Sequence, residues 1–249
     1  MAFHPAPLLF LLLVIPVAFA LRALQKGVSR DRAAALQAEA LKLGFSLEGD
    51  RDLAPLLKAT LLGPEHPPTN DAPMLATALF TEGDERSKFA NVMTANRDGM
   101  RVSLFDYTLL GLAPQARHFI QQTVAAFSRA GISLPEFRIR PVEATDRIWD
   151  AVTREKSKVE TDPEFSRRYV LYGALTDRTF DNKVQSLFTS PLRIFLKSLD
   201  PRETWTIEGI ADTLVLYTFS TLIPPSEIGA FFDRAAWIAT NFFALVAPA

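Results

Sequence analysis

"FANVMTANRDGMRVSLFDY", residues 89–107, holds two runs of strand-forming residues on either side of Asp98-Gly99. Asp-Gly is a favoured pair for a tight hairpin turn, because glycine tolerates the positive φ such a turn demands. In the second arm the period-two alternation sets Val102, Leu104 and Asp106 on one face, with Ser103, Phe105 and Tyr107 on the other. A hairpin with one apolar face must bury that face, so the stretch predicts an antiparallel sheet.

Outward from the hairpin, "MLATALFTEG" (74–83), "HFIQQTVAAFS" (118–128) and "LPEFRIRPV" (134–142) read as further strands. In the last of these Phe137 and Ile139 point one way, while Arg138 and Arg140 point to water. "DPEFSRRYVLYGA" (162–174) reads as a turn leading into a strand, and "TWTIEGIADTLVLYTF" (204–219) as a final hairpin. Helices are expected over "SRDRAAALQAEALKLG" (29–44), "DRDLAPLLKATLLG" (50–63), "ATDRIWDAVTREKSK" (144–158) and both sides of Pro191. The closing "PPSEIGAFFDRAAWIATNFFALV" (224–246) carries Ile228, Phe231, Phe232, Ala235, Ala239, Phe242 and Phe243 on one wide stripe. The fold class that follows is α+β. A curved antiparallel sheet built from hairpins is covered by a C-terminal amphipathic helix, as in pleckstrin-homology-like domains.

The chain begins differently. "PAPLLFLLLVIPVAFAL", residues 5–21, has no charged side chain. With its neighbours it approaches the roughly 20 residues that cross a hydrocarbon layer. Arg22, Lys26, Arg30 and Arg32 all follow it, which places the main domain on the cytoplasmic side of a single-pass inner-membrane anchor. The competing reading is a signal peptide cleaved after Ala18-Phe19-Ala20, with export of the remainder. The organisation expected is an anchor over 1–26, a helical juxtamembrane segment over 27–63, a proline-rich linker over 64–73 and the α+β domain over 74–249.

Composition narrows the chemistry. The chain has 249 residues, 48% of them hydrophobic, so a large core is within reach. A formal net charge of −1 gives no general attraction for nucleic acid. There is no cysteine, and the three histidines, His4, His66 and His118, lack metal-ligand spacing, so no thiolate or histidine metal site and no cofactor is expected; a carboxylate site for magnesium or calcium stays open, though no motif points to one. No phosphate-binding glycine motif or GxSxG occurs.

Two motifs retain chemical potential. Asp106 could act as a general base with Tyr107 as a donor, and Asp162 or Glu164 could supply the second carboxyl group of a hydrolase. Arg167 and Arg168 could clamp an anionic ligand. The structural reading of the same residues has Asp106 tie down the strand end and Tyr107 pack. Asp162-Pro163 then starts a turn, and an arginine of the pair meets Asp106 or Glu208. Without a complete catalytic set, the function expected is a membrane-anchored, non-enzymatic binding or scaffold domain. Its partner would be a protein or an apolar ligand.

In order along the chain, "TEGDERSKFANVM", "VSLFDYT", "LPEFRIRP", "DPEFSRRYVLYG", "EGIADTLVLY" and "PPSEIGAFF" resemble a family of uncharacterised bacterial membrane-anchored proteins, over roughly residues 40–240. "FDY" and "DPEFSRRY" are the more specific of these phrases. The resemblance implies a membrane-attached domain and brings no catalytic residues with it.

Overall fold

The structure, a computed structural model, describes residues 30–47, 87–110, 119–142, 162–173 and 178–246. Helix α1 (30–42) leads into the short strand β1 (Ser46–Leu47). The hairpin follows as β2 (Ser87–Arg97) and β3 (Met100–Leu110), then β4 (Phe119–Ser128) and β5 (Leu134–Pro141). A short helix, α2 (Pro163–Arg168), runs directly into β6 (Tyr169–Gly173). Helices α3 (Arg178–Leu187) and α4 (Ser190–Ser198) lead to the last hairpin, β7 (Trp205–Ala211) and β8 (Thr213–Thr218). A single 3₁₀ turn, Pro225–Glu227, opens α5 (Ile228–Val246).

The strands make one antiparallel sheet in the order β1-β2-β3-β4-β8-β7-β5-β6. The antiparallel α+β reading with a covering C-terminal helix therefore holds. The β7–β8 hairpin is last in the chain, yet it inserts between β4 and β5 and joins the two halves of the sheet.

Local chemistry explains the turns. Asp98 and Gly99 have φ of 51° and 73°, the pair of left-handed residues that matches the twist of a two-residue hairpin. Asn91, at φ 54°, sits in a bulge of β2, where the register with β3 shifts between Ala90 and Met93. Asparagine is among the side-chain-bearing residues that tolerate this region best. The extra residue also exchanges the faces of β2. Phe89 lies on one side before the bulge, and Val92 lies on that same side after it.

All five described helices contribute to a single apolar cluster on one face of the sheet. α1 supplies Leu36 and Ala40, α2 Phe165, α3 Val184, α4 Leu192 and Leu196. α5 supplies the expected stripe together with Ile238. Phe45, just after α1, packs edge-on against Phe232 at 5.0 Å between ring centroids. Gly44 takes φ 72° and ends α1 as expected. The helix read from sequence as a juxtamembrane piece is thus packed into the core of the sheet domain. Pro191 sits in the first turn of α4, where its missing N–H costs nothing.

The opposite face holds a second cluster, Val92, Phe105, Tyr107, Val124, Ala126, Val215 and Tyr217, every member from a strand. The division of β3 into two faces follows the alternation expected. One expectation is corrected here: "DPEFSRRY" opens with a helix, because Asp162 caps it and Pro163 presets its first turn. The apolar run 5–21, the helices expected at 50–63 and 144–158, the linker 64–73 and the strand expected at 74–83 lie outside the described residues. Among the described residues, no helix is long and apolar enough to cross a membrane.

Candidate functional site

Asp106 lies on β3, facing the helices, and is only 6% exposed. Its two oxygens receive four hydrogen bonds. Oδ1 accepts from Arg32 Nη2 at 2.9 Å and Thr123 Oγ1 at 2.9 Å. Oδ2 accepts from Arg32 Nε at 2.8 Å and Asn91 Nδ2 at 2.8 Å. Each donor is placed by a different element: Arg32 by the first turn of α1, Asn91 by the β2 bulge, Thr123 by its pairing opposite Asp106 on β4. The cluster extends to the loop after β8. Arg32 Nη1 donates to the Ile223 carbonyl at 2.9 Å, and the Ile223 N–H donates to Thr123 Oγ1 at 3.0 Å.

An ionised carboxylate offers about four lone-pair directions. All of those on Asp106 are occupied, so none is left to take a proton from a substrate. The bidentate arginine belongs to the N-terminal helix and not to the "DPEFSRRY" motif. That corrects the expectation that Arg167 or Arg168 would meet Asp106. Tyr107 points to the opposite face. It is buried there with its ring 5.2 Å from that of Phe89, so the two neighbours in sequence do not form a reactive couple.

The second motif braces the α2–α4 junction. Asp162 Oδ1 accepts the Phe165 N–H at 2.8 Å, and Oδ2 lies 2.8 Å from Arg193 Nε. The cap, with Lys197 and Arg193 beside it, holds its carboxyl below the ordinary aspartate value. Glu164 is exposed and pairs with Lys197 at 2.5 Å. Arg168 donates to the carbonyls of Lys197 and Leu199 and lies over the Tyr169 ring, while the Tyr169 hydroxyl donates to the Leu196 carbonyl at 2.9 Å. Arg167 is exposed. β3 and β6 are five strand positions apart. At about 4.8 Å per position that is on the order of 24 Å along the sheet. The structure therefore does not bring Asp106 together with Asp162 or Glu164.

A third group was not legible as a unit in the sequence. Glu208 on β7 is fully buried and accepts from Arg138 Nε and from the Tyr217 hydroxyl, each at 2.5 Å. Arg138 pairs with Glu208 across β5 and β7, so its side chain does not point to water as alternation in β5 suggested. Burial pushes the Glu208 carboxyl up against the pull of Arg138, and it pushes the Tyr217 phenol well up, keeping that phenol a donor. Among the described residues the second carboxyl oxygen, Oε2, has no hydrogen-bond partner. The signal in the sequence was Glu208, the one charged residue of the apolar strand "WTIEGIA", while Arg138 is one of three charged residues in "LPEFRIRP" and does not stand out there. Among the described residues, no group of three histidine, cysteine, aspartate or glutamate side chains could hold a metal ion.

No protein-family model matches the chain, and no curated protein matches it in sequence. Among solved structures, it is similar to the crystal structure of the mycobacterial trehalose monomycolate transport factor A, TtfA. The two share 15% sequence identity at a TM-score of 0.50, and the match covers 88% of this chain and 97% of that one. At that identity the likeness is one of fold.

Proposed function

We propose that this chain is a membrane-anchored, non-catalytic binding or scaffold domain, held by its N-terminal apolar run at the inner membrane with the sheet domain on the cytoplasmic side. Its partner is a protein or an apolar ligand. The observation that carries the reading is the saturation of Asp106. The acid that best suited a general base spends every acceptor position on Arg32, Asn91 and Thr123. Asp162 and Glu164 are likewise committed to a helix cap and to the cations of α4. The solved structure that shares the fold is named a transport factor, which fits a role in binding better than one in bond cleavage.

The purified full chain, tested against ester, phosphoester and glycoside substrates, should show no turnover above buffer. Turnover that disappears in Asp106→Asn at an unchanged melting temperature would establish the hydrolase instead. Carbonate-washed membranes should retain the full chain and lose it when residues 1–29 are deleted. Mature protein recovered from the periplasm with Leu21 at its N-terminus would replace the anchor by a cleaved signal.

A further inference from the structure

The loop between β8 and α5 is the second arm of the Asp106 cluster, and it has an unusual surface. From Thr213 to Ser226 no side chain is charged. Phe219 is 46% exposed, Leu222 and Ile223 are half-buried, and Pro224 and Pro225 follow. The loop is not loosely held. The Thr123 N–H donates to the Thr221 carbonyl at 2.9 Å, the Ser220 N–H to Gln122 Oε1 at 3.3 Å, and Ile223 is bonded through both its N–H and its carbonyl. An apolar, uncharged loop pinned to the sheet presents its side chains at a fixed place.

That place is set by Arg32. Its guanidinium holds the Ile223 carbonyl, and it stands in the first turn of α1, two residues into the described chain. Residues 22–29 separate α1 from the end of the apolar run at Leu21. Eight residues span at most roughly 30 Å when fully extended. The run is thus tethered within that length of the corner of the domain where Phe219 is exposed and Leu222 and Ile223 are half-buried. We infer that this corner is a membrane-contact surface, with Phe219 and Leu222 entering the interfacial zone of the same bilayer that holds residues 5–21. The inference rests on the anchored reading above and adds to it an orientation: the β8–α5 loop faces lipid, and the β2–β3 turn at the opposite end of the strands faces away. Charge near the loop is mixed, with Arg30 positive and Asp31 and Glu227 negative, all exposed. Apolar insertion, and not attraction to anionic headgroups, is therefore the mode of contact.

The absence of cysteine makes the test clean, since single cysteines can be labelled without background. The full chain carrying Leu222→Cys, labelled with an environment-sensitive nitrobenzoxadiazole dye, is reconstituted in phosphatidylcholine vesicles. Ala130→Cys serves as the control. It lies in the exposed turn after β4, about seven residues or roughly 23 Å along the strand from Thr123. In vesicles the label at 222 should brighten several-fold, shift to the blue and be quenched by nitroxide lipids, while the label at 130 stays unchanged. A 222 label that reports water while the chain co-floats with vesicles overturns the contact and leaves the anchor standing. Failure to co-float overturns both. A signal at 222 that appears only when phosphatidylglycerol is added overturns apolar insertion as the mode of contact.

Discussion

Arg32 grips Asp106 with both prongs of its guanidinium, Nε to Oδ2 at 2.8 Å and Nη2 to Oδ1 at 2.9 Å, across 74 positions of sequence. The contact welds the N-terminal helix to the third strand. Arg32→Met would leave a buried carboxylate with its charge uncompensated. Breaking such a pair costs about 3–5 kcal/mol, and that loss is expected in urea denaturation. A double-mutant cycle with Asp106→Asn should show a coupling of at least about 1 kcal/mol. Independent, additive effects would show that the two residues do not act as a unit.

The β7–β8 hairpin carries two backbone predictions of opposite sign. A Cβ on Gly209 would sit 2.1 Å from Cε1 of Phe137, inside the ring's own volume. Phe137 stacks with Phe242 and meets Phe188 edge-on, so it has no free direction in which to move. Gly209→Ala should destabilise by about 1–3 kcal/mol or more. Two residues on, Ala211 is held at φ 53°, where its Cβ is disfavoured. Ala211→Gly should therefore raise stability, by about 0.5–1 kcal/mol. Thermal melting of the two variants moves in opposite directions if both assignments hold.

Within the buried triad, Tyr217 supplies one of two donors to a carboxylate that water cannot reach. Tyr217→Phe removes the hydroxyl and keeps the ring, so the loss isolates the hydrogen bond at about 1–3 kcal/mol. Arg138→Met should cost more, since it strips the only described cation bonded to Glu208. An Arg138 variant less damaging than the Tyr217 variant would mean that Glu208 is held mainly by the phenol.

Asp162 gives a pH dependence with a definite sign. The backbone cap at Phe165, with Lys197 and Arg193 adding to it, holds its carboxyl below the reference value of 3.8. The folded state therefore binds fewer protons at this group than the unfolded state does. Its contribution is complete above about pH 4 and is lost as pH falls through the lowered value. Asp162→Ala should melt below the parent at neutral pH, and the gap should close under acid conditions. A gap of constant size from pH 7 to pH 2 would show that the cap does not depend on the charge. Half-buried Asp200, paired with exposed Arg202, offers a reference for this titration. Its carboxyl is drawn down to about 2, and Arg202→Ala should return it toward the ordinary aspartate range, as followed by carboxyl chemical shifts.

What the sequence determined by itself was whatever repeats over a few residues. The Asp98-Gly99 turn, the two faces of β3, the helical segments on either side of Pro191 and the stripe of α5 from Ile228 to Phe243 are each set by a period or a turn preference that operates locally. Tertiary structure decided the partners of the charged residues. Alternation assigned Arg138 to the face away from Phe137, but it could not say that this face is buried too. Glu208 becomes the neighbour of Arg138 only when the last hairpin inserts beside β5. The same holds for Asp106, whose arginine comes from a helix in a different part of the chain, and for Asn91, whose bulge appears only once β2 is paired with β3. A carboxylate can be base, clamp or brace with one and the same local sequence. The donors that the folded chain brings within about 3 Å settle which it becomes.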